Sequence, residues 1–274
     1  MIEKTITVAG ANIAYQVHGP DGAPVLLLGH GLLFDHRMWA PLIPELAQRY
    51  RLLVVEVRGH GSSKLSETSA FTLEDLAADW RAILDAEGVA RVTLVGLSMG
   101  GMTALRFALA WPERVEALAL LDTSAQPEPL WKVLKYRSLV TVWQRVGSNR
   151  LIAALVGQVL FGRTTRRNQP GLVGKELGQI FGKRAEDLAP AIQSVIGRGD
   201  LSQRLDTIMR PTLVIVGDED AACPPKCSRL IAERILGAKL VELPRCGHMS
   251  TLESPAAVLA ALDPFLTAHA RSVS

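Results

Sequence analysis

The chain has little of what would take it out of the ordinary globular class. Only three cysteines, Cys223, Cys227 and Cys246, occur in 274 residues, and all come late. An odd, clustered set argues against a disulfide framework. Pro224-Pro225 separates the first two and no second ligand pair follows, so no metal is expected there. The formal charge is +3 and aromatic residues make up 5%. With no basic run interleaved with aromatics, a nucleic-acid partner has no electrostatic footprint. No apolar stretch approaches the ~20 residues of a membrane span, and Met1-Ile2-Glu3-Lys4-Thr5 lacks the apolar segment of a secretory signal. The expectation is a cytoplasmic protein with no nucleic-acid or membrane partner. A homo-oligomer is compatible with everything above. Internal repeats and low-complexity segments are also missing.

What is present is a chain that can bury a full core, with 48% hydrophobic and 21% charged residues. Thr5–Val8 and Asn12–Val17 read as an antiparallel hairpin turning at Ala9-Gly10-Ala11. Pro24–Gly29 and Leu52–Val57 are continuous apolar runs, as expected of strands buried on both faces, with a helix-like stretch from Trp39 to Arg49 between them. Leu73–Ala86 reads as an amphipathic helix entered at Thr72, with Asp75 three residues on. Further strands are expected at Val92–Val95, Val115–Leu121, Pro211–Gly217 and Ala238–Leu243, with a helix over Ser228–Leu236 and a last one opening at Ser254-Pro255. Strands alternating with helices imply an α/β fold, its mostly parallel sheet covered on both faces.

One region breaks the alternation. Residues 125–210 contain no strand-like run and read as a helical cap inserted into a core domain of 1–124 and 211–274. The insertion carries 14 Lys or Arg against 6 Asp or Glu. Most of those bases should form a solvated outer face, and a minority could lend a positive potential to a pocket mouth.

Between Val92–Val95 and a helix-forming run lies Gly96-Leu97-Ser98-Met99-Gly100-Gly101. Gly-x-Ser-x-Gly at a strand-to-helix turn is the pattern of a nucleophile elbow, with a strained serine raised above the sheet and glycines leaving room for the crossing. The plainer alternative is that Ser98 only caps the helix. A nucleophilic hydroxyl needs a base, and the base an orienting carboxylate. After Ser98 only His248 and His269 remain. His269 falls in the last turn of a terminal helix, where solvent exposure is expected. His248 follows the last strand, at the end of the sheet where an α/β fold places its site. Gly217-Asp218-Glu219-Asp220 follows the preceding strand and offers three carboxylates, of which one should point inward and the others into solvent. Asp122 is a further candidate.

With these motifs in order, the chain resembles α/β-hydrolases of the esterase, lactonase and haloperoxidase-like group. Gly29-His30-Gly31-Leu32 is similar to the family's oxyanion loop, Arg58-Gly59-His60-Gly61-x-Ser63 to its next turn, Gly96–Gly101 to its elbow and Gly247-His248 to its histidine loop. The resemblance implies the α/β-hydrolase fold and a triad of Ser98, His248 and Asp220, the acid being fixed by Gly217-x-x-Asp220-x-x-x-Pro224. It also implies an oxyanion hole from the N–H groups of Leu32 and Met99, with His30 shaping its loop, Glu56 structural, and no metal or organic cofactor. Leu33, Phe34, Met99 and Trp131 are expected to line an apolar acyl pocket. The implied activity is hydrolysis of a small-molecule carboxylic ester or lactone through an acyl-enzyme. Asp35-His36-Arg37-Met38-Trp39 and the basic insertion also resemble 3-oxoadipate enol-lactonase-like enzymes, and carbon–carbon bond hydrolases and perhydrolases use the same residues. A slowly hydrolysing ligand receptor is the reading from another class. Cys246, two residues from His248, is expected to make activity sensitive to thiol reagents.

Overall fold

A computed structural model of the chain describes residues 1–65, 70–147 and 149–270. Its strands are β1 (Ile2–Val8), β2 (Ala11–His18), β3 (Val25–Gly29), β4 (Arg51–Val55), β5 (Lys64–Leu65), β6 (Val92–Leu97), β7 (Val115–Leu121), β8 (Thr212–Gly217) and β9 (Lys239–Leu243). They form one sheet in the order β1-β2-β4-β3-β6-β7-β8-β9, with β5 paired to β2. Pairing is antiparallel at the β1, β2 and β4 end and parallel from β4 to β9. The expected hairpin is there, turning at Gly10 with φ +75°.

Continuous apolar runs make sense because successive side chains leave opposite faces of a sheet covered on both sides. In β3, Leu26 and Leu28 join one core, while Val25 and Leu27 join the other. Among the described residues the helices are α1 (Ile43–Leu46), α2 (Leu73–Ala86), α3 (Met99–Ala110), α4 (Leu130–Val146), α5 (Arg150–Leu160), α6 (Arg163–Asn168), α7 (Pro170–Phe181), α8 (Ala185–Ile196), α9 (Pro225–Arg234), α10 (Ser250–Glu253) and α11 (Pro255–His269). Helix α2 opens as its sequence suggests: Thr72 Oγ1 accepts from the Asp75 N–H, and the Asp75 carboxylate accepts from the Thr72 N–H.

Two expectations change. The helix over Trp39–Arg49 is only a 3-10 turn at His36–Trp39 followed by the single turn of α1. Pro41 and Pro44 each lack the N–H that a continuous helix would need. The insertion is also shorter than 125–210. Leu201, Leu205 and Ile208 pack into the core on the far face of the sheet, and the Leu201 N–H closes the neck by donating to the Ala125 carbonyl at 2.8 Å. The cap proper is α4 to α8, rising between β7 and β8. No helix among the described residues is long and apolar enough to cross a membrane.

Candidate active site

Ser98 joins β6 to α3 at φ +54°, ψ −112°, a conformation that costs free energy for a residue with a side chain. The surroundings impose it. The Ser98 N–H donates to the Leu121 carbonyl at 2.8 Å, and the Ser98 carbonyl accepts from Thr123 Oγ1 at 2.7 Å and the Met102 N–H at 2.9 Å. A Cβ on Gly96 would strike the Gly100 backbone, and one on Gly100 would strike the Gly29 carbonyl. The glycines therefore allow α3 to cross the ends of β3 and β6 at backbone contact. Ser98 makes no side-chain cap to α3, so the plainer reading of this serine fails.

Its hydroxyl is instead 2.9 Å from His248 Nε2, and His248 Nδ1 is 2.8 Å from Asp220 Oδ2. The carboxylate at Nδ1 assigns the ring proton there and leaves Nε2 to accept from Ser98. The other Asp220 oxygen accepts the Cys223 N–H at 2.9 Å. All three side chains are buried. Burial works against a charged imidazole, but the charge and hydrogen bond of Asp220, with Asp122 and Glu253 behind, outweigh it and raise the His248 pKa.

The remaining candidates separate cleanly. Asp122, at φ +48°, accepts the Gly217 N–H at 2.9 Å and the Ser250 hydroxyl at 2.5 Å. It braces the loops carrying Asp220 and His248, and burial with repulsion from Asp220 pushes its pKa well up. Asp218 is exposed, and its Oδ1 accepts the Cys246 N–H at 3.3 Å. Glu219 is not solvated: its carboxylate is bound to the cap at Thr164. The His269 ring lies tilted against Phe265 in α11, with ring centroids 5.0 Å apart, away from the serine.

His30 is neutral by geometry, with Nδ1 at 2.8 Å from the Gly31 carbonyl and Nε2 accepting the Val57 N–H at 2.9 Å. Burial lowers its pKa to about 4. It shapes the loop that brings Gly31 against Leu97 and Ser98. Among the described residues, the N–H groups of Leu32 and Met99 donate to no protein acceptor. Glu56 is structural, accepting from His36 Nδ1 and the Ser62 N–H. Asp35, His36 and Glu56 lie close together, but Arg37 and Lys183 already engage Asp35. These carboxylates serve protein donors.

Ser98 and His248 open into a cavity of about 140 Å³ between sheet and cap. Leu32 and Leu33 line it from the oxyanion-type loop and Met102 from α3, while Tyr136, Val140 and Trp143 of α4, Val156 of α5 and Val195 of α8 form its roof. Leu33 is where the sequence suggests. Phe34 is not: it is buried behind the loop, beside a separate small cleft with Asp35 and Lys183. Trp131 is also displaced, on the outer face of α4 with 63% of its surface exposed. Met102, one helical turn after Ser98, could have been found by spacing. The α4, α5 and α8 residues carry no local mark tying them to the serine. The thiol on the cavity wall is Cys223; Cys246 is fully buried, and burial raises the pKa of both. Sensitivity through Cys246 is therefore not expected.

Comparison with known proteins gives the family. Residues 25–262 match the model of the alpha/beta hydrolase family. A hydrolase from Pseudomonas aeruginosa superposes with a TM-score of 0.87 at 31% identity, over 96% of this chain and 98% of that one. For a thermophilic esterase from Thermogutta terrifontis the TM-score is 0.88 at 30% identity, over 98% and 99%. The 3-oxoadipate enol-lactonase 1 of Acinetobacter baylyi is 26% identical over 246 residues, 90% of each chain. With sheet order, strained serine turn and family match in agreement, the chain belongs to the alpha/beta hydrolase family.

Proposed function

We propose that the protein hydrolyses neutral carboxylic esters or lactones through an acyl-enzyme on Ser98. The observation that carries the reading is the continuous chain of hydrogen bonds from Ser98 Oγ through His248 to Asp220, ending at the floor of an apolar cavity. His248 takes the Ser98 proton as Oγ bonds to the carbonyl carbon. The N–H groups of Leu32 and Met99 meet the developing oxyanion, where one lost donor typically costs roughly 10²–10³ in rate. The imidazolium returns the proton to the leaving alkoxide as the C–O bond breaks. A water deprotonated by His248 then attacks the acyl carbon, and the C–Oγ bond breaks with the proton returned to Ser98.

The cavity wall supports a neutral substrate over an anionic one. Among the described residues no Lys or Arg lines it, and the carboxylate on it is Glu128. Bases of the inserted region are already paired: Arg198 with Glu128 of the wall at 2.8 Å, Lys183 with Asp35 at 3.1 Å and, at the surface, Arg163 with Glu219 at 2.9 Å, while Lys132 Nζ donates to the Ala222 carbonyl at 2.8 Å. Among the described residues a dicarboxylate lactone would meet no cationic side chain on that wall. A cavity of ~150 Å³ lined by aliphatic and aromatic groups holds benzene, so an acyl group of roughly six carbons suits this one.

p-Nitrophenyl esters from acetate to decanoate, run beside neutral and dicarboxylate lactones, test the reading. The expectation is turnover peaking near butyrate to hexanoate and lost in Ser98→Ala by roughly 10⁴-fold or more. Inactivity on every ester with turnover of a dicarboxylate lactone would replace it by the enol-lactonase-like reading. A single slow turnover with a ligand-dependent rise in Tm would replace it by a receptor.

A further inference from the structure

Two carboxylates outside the triad reach from its loops to one short stretch of the cap, at the start of α6. Glu253 is buried, and its Oε2 accepts the N–H of Gly162 at 2.9 Å and of Gly247 at 3.0 Å. Its Oε1 accepts the N–H of Met249 at 3.0 Å. Gly247 and Met249 flank His248, so one side chain holds both neighbours of the imidazole and the cap. Glu219, beside Asp220, accepts from the Thr164 N–H and Oγ1, each at 2.7 Å, and from Arg163 Nε at 2.9 Å. Its own N–H donates to the Cys246 carbonyl at 2.8 Å, which ties the acid loop to the histidine loop. A Cβ on Gly247 would strike the Gly162 nitrogen. Cap and histidine loop are therefore in backbone contact at this point.

We infer that Glu253 is a positioning residue that couples seating of the cap to alignment of His248 with Ser98. The inference rests on the hydrolytic reading above. A carboxylate suits the place because three N–H donors converge on two anionic oxygens, and charge-assisted bonds of this kind are about twice as strong as neutral ones. Glutamine keeps the shape but offers one acceptor oxygen, and its NH₂ would face an N–H. Releasing Gly162 should loosen Gly247 and Met249, and the reverse. The carboxylates facing the imidazole are Asp220 from the acid loop, Asp122 from the end of β7 and Glu253 from α10. Loss of the Glu253 charge therefore moves the histidine midpoint down.

Glu253→Gln in the full chain tests this, with wild type and Ser98→Ala as controls. On p-nitrophenyl butyrate kcat should fall at least roughly tenfold with KM within about threefold, and the acid limb of kcat/KM should move to lower pH. Hydrogen exchange followed by mass spectrometry should quicken both in the peptide over 161–168 and in that over 245–250. A kcat within twofold and an unmoved acid limb would overturn the positioning role. Faster exchange confined to 245–250 would overturn the coupling to the cap. If Glu253→Gln does not fold, Glu219→Gln frees the same cap stretch from the other loop. Faster exchange in both peptides then supports the coupling, and a change confined to 161–168 contradicts it. Absence of Ser98-dependent turnover in wild type would count against the hydrolytic reading alone, since the exchange pattern still decides the clamp.

Discussion

The sheet domain and the cap are built from similar residues held in different ways. In the sheet, every residue of β3, β6 and β8 is buried, register is fixed on both sides, and α3 touches β3 and β6 backbone to backbone. In the cap, Leu130, Trp131, Leu134 and Leu151 are 81%, 63%, 65% and 70% exposed. Besides the apolar contacts of its inner face, a few charged groups hold the cap to the core: Lys183 to Asp35, Arg163 and Thr164 to Glu219, Gly162 to Glu253. The difference separates two tasks. A strained serine and a three-part hydrogen-bond chain need a frame that cannot yield. A wall of the kind proposed for an acyl pocket needs apolar surface, and a region with fewer fixed contacts supplies it.

Substitutions in the two regions can break or sharpen this contrast. The largest effect is expected at Asp220, the carboxylate bonded to His248, where Asp220→Asn should lower kcat roughly 10⁴-fold, about 5.5 kcal/mol. His248 must be neutral to accept a proton, and its pKa is raised. Wild-type kcat/KM should therefore fall as pH drops through a midpoint above the ordinary histidine value of about 6.5. Residual activity of Asp220→Asn should have its midpoint at lower pH, and a pH–rate profile of both proteins checks the sign.

Next come glycines. Gly100→Ala drives a methyl into the Gly29 carbonyl and should cost about 4 kcal/mol or abolish soluble protein, as read by urea unfolding. A smaller loss, of about tenfold in kcat/KM on hexanoate, is expected for Val156→Phe, which fills the roof of the cavity; acetate should lose least. Gly174→Ala reverses the sign of the core glycine. It sits inside α7 with nothing within 4 Å of its would-be Cβ, and should gain about 0.8 kcal/mol, a rise in Tm of about 2–3 °C. Smallest of all, Trp131→Ala should change kcat/KM less than about twofold, because the ring lies outside the cavity. A tenfold loss there would return Trp131 to the substrate site.

Legibility followed the same division. The serine turn, the histidine loop and most strands could be read because each is local, a glycine pattern or an apolar run whose meaning does not depend on distant contacts. The choice among Asp218, Glu219 and Asp220 could not be made locally and rested on family resemblance. The fold separates them, sending one to solvent, one to Thr164 and one to His248. Trp131 and Trp143 are a sharper case. Both lie in α4 among apolar neighbours on several sides of the helix, so composition does not say which face meets the core. Phe34 follows the loop that lines the cavity, but the turn at Leu33, φ +73°, directs it behind that loop. Glu253 had no signal, because its meaning comes from three N–H groups brought together only in the folded chain.

The most direct test of the account is covalent labelling with diethyl p-nitrophenyl phosphate, followed by peptide mapping and ester assay of the same sample. One phosphoryl group should appear, on Ser98, with turnover falling in proportion, and the reaction should be absent in Ser98→Ala and slowed in His248→Ala. Stoichiometric label on another residue, or full turnover by protein labelled at Ser98, would contradict it.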